Sequence, residues 1–482
     1  MTRSQRAAET MGLAGSLLTQ RTARPIERLQ YRESLTSRLV RSGLLFVLVA
    51  NLFGDGAFRI PGIDKGAGTM GLLLSAIRGV LGYAGGAFVV WPLIIIYLVR
   101  EAPKAVRFRW ATLWPVLLLI VFMGFMTLLS DARVAIEMRG GNFFTYALPA
   151  MVCMLHCTNR KGIQLVRAWI IGAAVVFLAM LAISGRLQAL LAGDIFAVSG
   201  MTGLQNGPDR LTLQSDTITT ASLFYFAALA GLSLSVELKQ WWGRVAVWAI
   251  SGISVWIGLM AGARGPLLGF LAASVLLFGF SRAAIAKKWL IAAVCCLFLA
   301  GGLTLLPEVV PQSANRIFGL LGHAIPALDR YGSTADSLET EARRSLFTRA
   351  GSAPLSWFGR GVGAFGEDYG DPSMYAHNLF LEAYYETGVV GVVVIGWIFC
   401  SCLAQLLKYS LNGSSVVCFC LASLTFYFVS SQFSGTLLDN RTLLAFLVLG
   451  RMAIAVERRS RLEDGAPSKP HKRRTLVSGS CA

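Results

Sequence analysis

A single histidine stands where a polar segment enters an apolar one. His377 opens the run His-Asn-Leu-Phe-Leu-Glu-Ala-Tyr-Tyr-Glu-Thr-Gly-Val-Val-Gly, which ends at Gly391. An imidazole changes its charge near neutral pH, so it can accept a proton under conditions where most side chains cannot. An ionisable group at the edge of an apolar span is a candidate functional residue. We therefore predict proton-transfer chemistry at a membrane surface, with His377 as the acceptor.

An arginine interrupts a second apolar stretch. Residues 245–280 are apolar except around Arg264, which lies in the run Ala-Gly-Ala-Arg-Gly-Pro. One helix of that length would measure about 54 Å, too long for a single crossing of a ~30 Å hydrocarbon layer. We predict two spans joined by a tight turn at Arg264, on the same side of the membrane as His377. A plain turn arginine that bonds a headgroup phosphate is the alternative.

The longest hydrophilic segment lies between these two features. Residues 307–376 hold several arginines, among them Arg343, Arg344 and Arg360. Connections of this length are usually functional in compact proteins. Its glycine-rich run at 359–366 resembles a nucleotide-binding loop only superficially, because no strand precedes it and no Gly-Lys-Ser/Thr follows. A turn at which the backbone packs closely is favoured.

Composition indicates which elements must hold these residues in place. The chain has 482 residues, of which 55% are hydrophobic and 15% charged, against roughly 25% charged in soluble domains. A helical span needs about 20 largely apolar residues. We predict an all-α, polytopic integral membrane protein with about twelve transmembrane helices. The predicted spans are 40–54, 79–99, 111–129, 143–157, 164–183, 215–236, 244–262, 265–280, 289–306, 387–407, 415–433 and 441–456.

Charge indicates the orientation of these spans. The formal net charge is +18, and lysine and arginine concentrate on the cytoplasmic side of membrane proteins. Residues 1–39 and 457–482 are both basic, and so is every second turn between spans, so both termini are predicted to be cytoplasmic. Membrane topology and contact with anionic lipids account for the charge without a nucleic-acid partner.

The domain organisation follows from this topology. We predict a cytoplasmic basic segment at 1–39, transmembrane helices 1–9 at 40–306 and a long functional loop outside the cytoplasm at 307–376. Transmembrane helices 10–12 then occupy 377–456, and a basic cytoplasmic tail occupies 457–482. Arg264, this loop and His377 would then all lie on the side of the membrane opposite the cytoplasm.

Four motifs together resemble a known family. They are the Ala-Gly-Ala-Arg-Gly turn at Arg264, the Arg-Arg-Ser-Leu-Phe segment from Arg343, the Trp-Phe-Gly-Arg-Gly-Val-Gly segment from Trp357 and the His-Asn block from His377. In order and spacing, this set is similar to the O-antigen ligase and O-antigen polymerase superfamily of membrane glycosyltransferases. The family commonly has a serine or threonine near the turn arginine, whereas this chain has glycine and alanine before Arg264.

The resemblance implies a fold and an activity. The fold would be of the GT-C type, and the enzyme a metal-independent, inverting glycosyltransferase with no cofactor. Its donor would be a glycan linked to undecaprenyl diphosphate. The loop 307–376 has no Asp-x-Asp motif, and arginine can grip a phosphate through two parallel hydrogen bonds.

The resemblance also implies roles for individual residues. Arg264, with Arg343 or Arg344, would bind the diphosphate, and His377 would take a proton from the acceptor hydroxyl. An ordinary imidazole, with a pKa of about 6.5, is neutral often enough for that step. Asn378, Glu382 and Arg360 are candidates for binding substrate. Asn378, Glu382 and Glu386 follow one another every four residues, so a solvated helix face is the alternative.

The acceptor separates the two leading functions. If it is lipid A-core, the protein is an O-antigen ligase, which we favour; if it is a growing lipid-linked polysaccharide, the protein is an O-antigen or exopolysaccharide polymerase. A secondary transporter is an alternative of another class. Transporters tend to have paired repeats and ionisable residues deep in their spans, and neither is evident in this sequence.

Overall fold

The protein is represented by a computed structural model. It describes residues 110–134, 147–183 apart from 156 and 158, 210–280, 344–371, 374–411, 414–433 and 440–465, with a few isolated positions elsewhere. All of them belong to one compact unit, Leu44–Ala482. The predicted spans 40–54 and 79–99, most of 289–306, and Arg343 lie outside the described residues.

Every regular element in the described part of the chain is a helix. Residues 344–351 form a short helical segment in addition to the ten helices named next. In chain order, the helices are α1 (Trp110–Leu128), α2 (Leu148–Met154), α3 (Arg160–Ile183), α4 (Arg210–Ser235), α5 (Trp241–Met260), α6 (Arg264–Phe280), α7 (Ala364–Tyr369), α8 (Leu379–Ser410), α9 (Ser415–Ser430) and α10 (Arg441–Gly465).

Several of these helices can cross a bilayer. Within the described ranges, four are long and apolar enough to do so, namely the segments Arg160–Ala179, Ile218–Ser235, Trp241–Met260 and Leu379–Ser410. Shorter apolar helices occupy Trp114–Leu128, Arg264–Phe280 and Ser415–Ser430. The fold is that of a helical membrane protein.

The predicted turn at Arg264 is confirmed. Helix α5 ends at Met260 and α6 begins at Arg264, with Gly262 between them at φ 67°. This left-handed conformation favours glycine because a Cβ would clash with the backbone. Gly262 therefore occupies a position where the turn itself requires glycine.

Two helices extend beyond the spans predicted for them. The span predicted at 387–407 belongs to a helix that begins eight residues earlier, at Leu379, because Asn378 caps it. The last helix continues to Gly465, beyond the predicted end of the span at 456. The first residues of the tail predicted at 457–482 are therefore helical. Charged residues continue a helix readily once it has left the apolar layer.

The core is built around α9. Phe226 of α4 packs its ring against Phe419, Phe426 and Tyr427 of α9 and against Phe446 of α10, with centroids 4.7 to 5.9 Å apart. Helix α6 runs antiparallel to α9: the Cys418 thiol donates to the carbonyl of Phe280, and Gly265 lies against Ser430 at the opposite end.

One end of this bundle is held by charged side chains, and we call it the basic end. Arg160 at the start of α3 pairs with Glu457 late in α10 at 3.0 Å. Arg458 donates to the hydroxyl of Tyr409 at the end of α8. Arg167 of α3 pairs with Glu237 after α4, and Glu237 also accepts from Ser415 at the start of α9. Five helix termini therefore meet at this end.

Candidate functional site

Arg264 and His377 lie at the opposite end, which we call the site end. An added Cβ on Gly265, next to Arg264, would lie 2.9 Å from the Cβ of Phe433, just after α9. Leu379, two residues after His377, donates its backbone N–H to the carbonyl of Ser431 at 3.2 Å. The first turns of α6 and α8 thus both contact the C-terminal end of α9.

The backbone at His377 is unusual. Its φ is 53°, the only positive value for a residue other than glycine in the described part of the chain. Such values are rare outside glycine, histidine being among the more tolerant residues, and they persist where the surroundings enforce them. His377 is 2% exposed, and the centroid of its ring lies 4.2 Å from the centroid of the Tyr375 ring.

Asn378 fixes the start of α8. Its amide oxygen accepts hydrogen bonds from the N–H groups of Phe380 and Leu381, both at 3.0 Å. Its amide nitrogen donates to the carbonyl of Gln432 at 3.2 Å. Both halves of the amide are therefore engaged in capping α8 and attaching it to α9. This places Asn378 among the residues that position the site rather than those with a free polar group.

Glu382 and Glu386 do not form a solvated face of α8, which was the alternative to binding substrate. Glu382 and Glu386 are only 2% and 4% exposed. Burial of a carboxylate is costly and is seldom tolerated without a structural or functional reason. The two acids therefore belong to the interior, where four-residue spacing on a helix brings them to one face.

Helix α8 is broken at Gly388. This residue has φ 69° and ψ −165°, which no helical residue adopts. The groups freed by the break bond to the preceding loop: Val389 and Val390 donate to the carbonyls of Ser356 and Trp357 at 3.0 and 3.1 Å. Arg360 and Gly361 donate to the carbonyls of Tyr385 and Glu386 at 3.1 and 2.8 Å. Non-helical backbone at membrane depth is stable only when its polar groups are paired in this way.

Glycine makes this close packing possible. An added Cβ on Gly359 would lie 2.5 Å from the carbonyl carbon of Glu386, and one on Gly388 would lie 2.5 Å from the nitrogen of Gly359. One on Gly361 would lie 2.5 Å from the Cβ of Ser130, after α1. The prediction of a close-packed turn in the 359–366 run is confirmed, and its partner is the break in α8.

Arg360 belongs to a charged cluster on the same loop. Its guanidinium pairs with Asp368 at 2.6 Å, and the Tyr385 hydroxyl donates to the same carboxylate at 2.6 Å. Although partial burial alone raises the pKa of Asp368, the bonds from Tyr385 and Arg360 hold it below its ordinary value. The Asp368 hydrogen bond raises the pKa of Arg360. Arg360 is thus a cation whose position is fixed by Asp368 and Tyr385.

Arg344 lies on the segment that covers this region. It is exposed at the start of the helical residues 344–351, and Leu346 of that segment joins a small core with Phe365, Met374 and Tyr385. The Tyr384 hydroxyl also donates to the carbonyl of Ala353 at 3.2 Å. The segment therefore packs over the first turns of α8, and Arg344 belongs to the site end.

The structure thus brings Arg264, Arg344, Arg360 and His377 to one end of the bundle. The break at Gly388 and the partners Asp368 and Tyr385 of Arg360 were not predicted from the sequence. The sequence signal for this packing was the repeated glycine at 359, 361 and 363, because each of these residues has a positive φ. No group of three or more metal-binding side chains occurs within the described ranges.

The site end combines cations with helix N-termini. Helices α6 and α8 both begin there. The first N–H groups of α8 are bonded to Asn378 and Ser431, but the dipole of a helix start still favours a nearby anion. Arginines beside them add charge and paired donors. This arrangement is suited to holding an anion such as a phosphate next to an imidazole. Comparison with protein-family models, curated proteins and solved structures gave no match.

Proposed function

We propose that this protein is a membrane glycosyltransferase that moves a glycan from undecaprenyl diphosphate to an acceptor hydroxyl at the periplasmic face of the inner membrane. The favoured acceptor is lipid A-core, which makes the protein an O-antigen ligase within a GT-C-type fold of about twelve spans. The observation that carries the proposal is that Arg264 and His377 flank the same end of α9.

In this proposal, each residue has a defined step. Arg264, with Arg344 or Arg343, neutralises the diphosphate as the bond between its oxygen and the anomeric carbon breaks. The acceptor oxygen attacks that carbon from the opposite face, which inverts the configuration, and His377 accepts the proton of the hydroxyl. The products are the joined glycan and undecaprenyl diphosphate. No metal or other cofactor takes part.

Burial of His377 adds a requirement to this mechanism. An imidazole that is 2% exposed and covered by the ring of Tyr375 at 4.2 Å is out of reach of a sugar hydroxyl. Residues 374–376 must move aside when the acceptor binds. Closure of such segments over bound substrate also excludes water, which would otherwise hydrolyse the donor.

The test is transfer by purified protein in proteoliposomes that contain a glycan on undecaprenyl diphosphate. His377→Asn keeps a residue that tolerates the left-handed backbone but removes the basic nitrogen. We expect this variant and Arg264→Gln each to lose at least about 100-fold in rate. Arg133→Gln, an exposed arginine just after α1, is the control and should retain activity.

The acceptor is varied in the same assay. Transfer to lipid A-core supports the ligase, and transfer only to a second lipid-linked glycan supports the polymerase, which breaks the same bond. Full activity in both the His377→Asn and Arg264→Gln variants would refute the site.

A further inference from the structure

The loop that fills the break in α8 has an apolar tip at residues 355–358, Leu-Ser-Trp-Phe. Leu355, Trp357 and Phe358 are 82%, 70% and 53% exposed. Large apolar side chains seldom cluster in contact with water, and a group of three adjacent ones indicates a surface that is covered by something else. The question is what covers them.

The tip lies level with Gly388, farther along α8 from its start than the rest of the loop. On the way down, Ala353 accepts from the side chain of Tyr384. At the bottom, Ser356 and Trp357 accept from Val389 and Val390, and on the way back Arg360 donates to the carbonyl of Tyr385. The loop thus descends alongside the first part of α8, turns at the level of Gly388 and rises again.

That level coincides with a boundary in α8. The helix has 32 residues, or about 48 Å, longer than a ~30 Å hydrocarbon layer needs. The part after Gly388, residues 389–410, measures about 33 Å and is sufficient by itself. The break therefore lies near the membrane surface, and the tip lies beside it.

Neighbouring surfaces and charges agree with this depth. Val393 and Trp397 of α8 and Phe125 of α1 are exposed apolar residues just below the tip, and they continue its surface along the spans. Residues 350–359 carry no charge, whereas Arg349 and Arg360 flank them. Tryptophan and phenylalanine with flanking arginines are typical of a segment lying at the boundary between headgroups and acyl chains.

We propose that residues 355–358 insert into the leaflet at the site end, where Trp357 and Phe358 contact the upper acyl chains of the membrane lipids. This anchor holds the loop that carries Arg360 at a fixed height above the bilayer. The inference depends on the protein's being a membrane protein and not on its catalysing glycosyl transfer.

The test places an environment-sensitive fluorescent amino acid at position 357 by stop-codon suppression, in full-length protein reconstituted into phosphatidylethanolamine and phosphatidylglycerol vesicles. We expect loss of emission when the acyl chains carry bromine near the headgroup, and protection from aqueous iodide. The same probe at position 367, an exposed glutamate on α7, is the control and should respond to iodide alone. Iodide quenching at 357 without bromine quenching would overturn the proposal.

A second measurement needs no probe. Trp357→Phe keeps an apolar tip but removes one of the tryptophans that brominated lipids can quench. The fraction of the intrinsic tryptophan emission that brominated lipids quench should be smaller in this variant than in wild type. An unchanged quenched part would show that Trp357 does not contact acyl chains, and would overturn the proposal irrespective of any enzymatic result.

Discussion

The two ends of the bundle are built in different ways. At the basic end, helices are joined through side chains: Arg167 bonds Glu237 through both carboxylate oxygens at 2.8 Å and Ser233 at 2.9 Å. At the site end, the loop and α8 are joined through backbone groups, and glycines allow them to touch. The cationic side chains of Arg264 and Arg344 lie at this end.

The difference teaches where chemistry can be placed. A buried arginine whose charge is matched by a carboxylate contributes to folding and is not available to a substrate. Backbone hydrogen bonds between close-packed segments hold a loop in a fixed position, which positioning of reacting groups requires. Gly388→Ala tests the backbone contacts of the site end, and Arg167→Leu tests the side-chain contacts of the basic end.

Gly388→Ala should have the largest effect on stability. The new Cβ would lie 2.5 Å from the nitrogen of Gly359 and from the carbonyl oxygens of Ser356 and Trp357, and φ is positive there. We expect a loss of about 3–5 kcal/mol, measured by thermal unfolding in detergent micelles.

Gly370→Ala is the matched control for that substitution. Gly370 has a φ of 86°, but an added Cβ meets nothing within 4 Å. It should cost only the conformational penalty of about 1 kcal/mol. Equal losses in the two variants would show that the loop is not packed into the break of α8.

Arg167→Leu should have the next largest effect. It leaves Glu237 without its cation and removes the bond to Ser233, and breaking a buried pair in this way costs about 3 kcal/mol. The pair of the exposed Arg160 with the buried Glu457 is the comparison. Because Arg461 also lies near Glu457, Arg160→Ala should cost under about 1 kcal/mol. Adding Glu237→Gln to Arg167→Leu should restore part of the loss, since no unpaired charge remains. If the double variant is no more stable than Arg167→Leu, charge is not what holds the basic end.

Tyr385→Phe should have a moderate, local effect at the site end. It removes the hydroxyl that donates to Asp368 at 2.6 Å and accepts from Arg360 at 3.1 Å. We expect about 1 kcal/mol of lost stability, together with faster hydrogen exchange of the amides at 360 and 361. Unchanged exchange there would mean that the cluster does not fix the loop.

Acid should weaken the basic end by a smaller amount. Burial alone raises the pKa of Glu237, but the charge of Arg167 and the bonds from Ser415, Arg167 and Gln164 bring it below its ordinary value of 4.5. A lowered folded-state pKa stabilises the fold above the ordinary value, and this contribution is lost as the pH falls through the folded value. The stability difference between wild type and Glu237→Gln should therefore shrink as the pH falls below about 4.5. A difference that stays constant down to pH 3 would contradict the pairing.

Much of the framework could be predicted from apolar length. The turn at Arg264 followed from a stretch too long for one crossing, and the described helices α1, α3, α4 and α9 lie where apolar runs predicted spans. Grouping of Arg264, Arg344 and His377 at one end followed from counting spans between them, because each crossing reverses the side.

The break in α8 could not be predicted in this way. A glycine in an apolar helix is ordinary, and Gly388 differs only because loop carbonyls some thirty residues earlier bond the N–H groups after it. The burial of Glu382 and Glu386 has a similar cause: four-residue spacing gives a face of the helix but not its neighbours. Pairing of Arg360 with Asp368 and Tyr385 likewise depends on the tertiary fold.

The central claim is that the site end and the basic end lie on opposite sides of the membrane, with the site end outside. Glu367→Cys and Lys239→Cys place thiols at exposed positions of the two ends, and the wild-type chain gives the background of its own cysteines. A membrane-impermeant maleimide applied to intact spheroplasts should label Glu367→Cys at once and Lys239→Cys only after permeabilisation. Labelling of Lys239→Cys from outside, or of both variants together, would contradict the account.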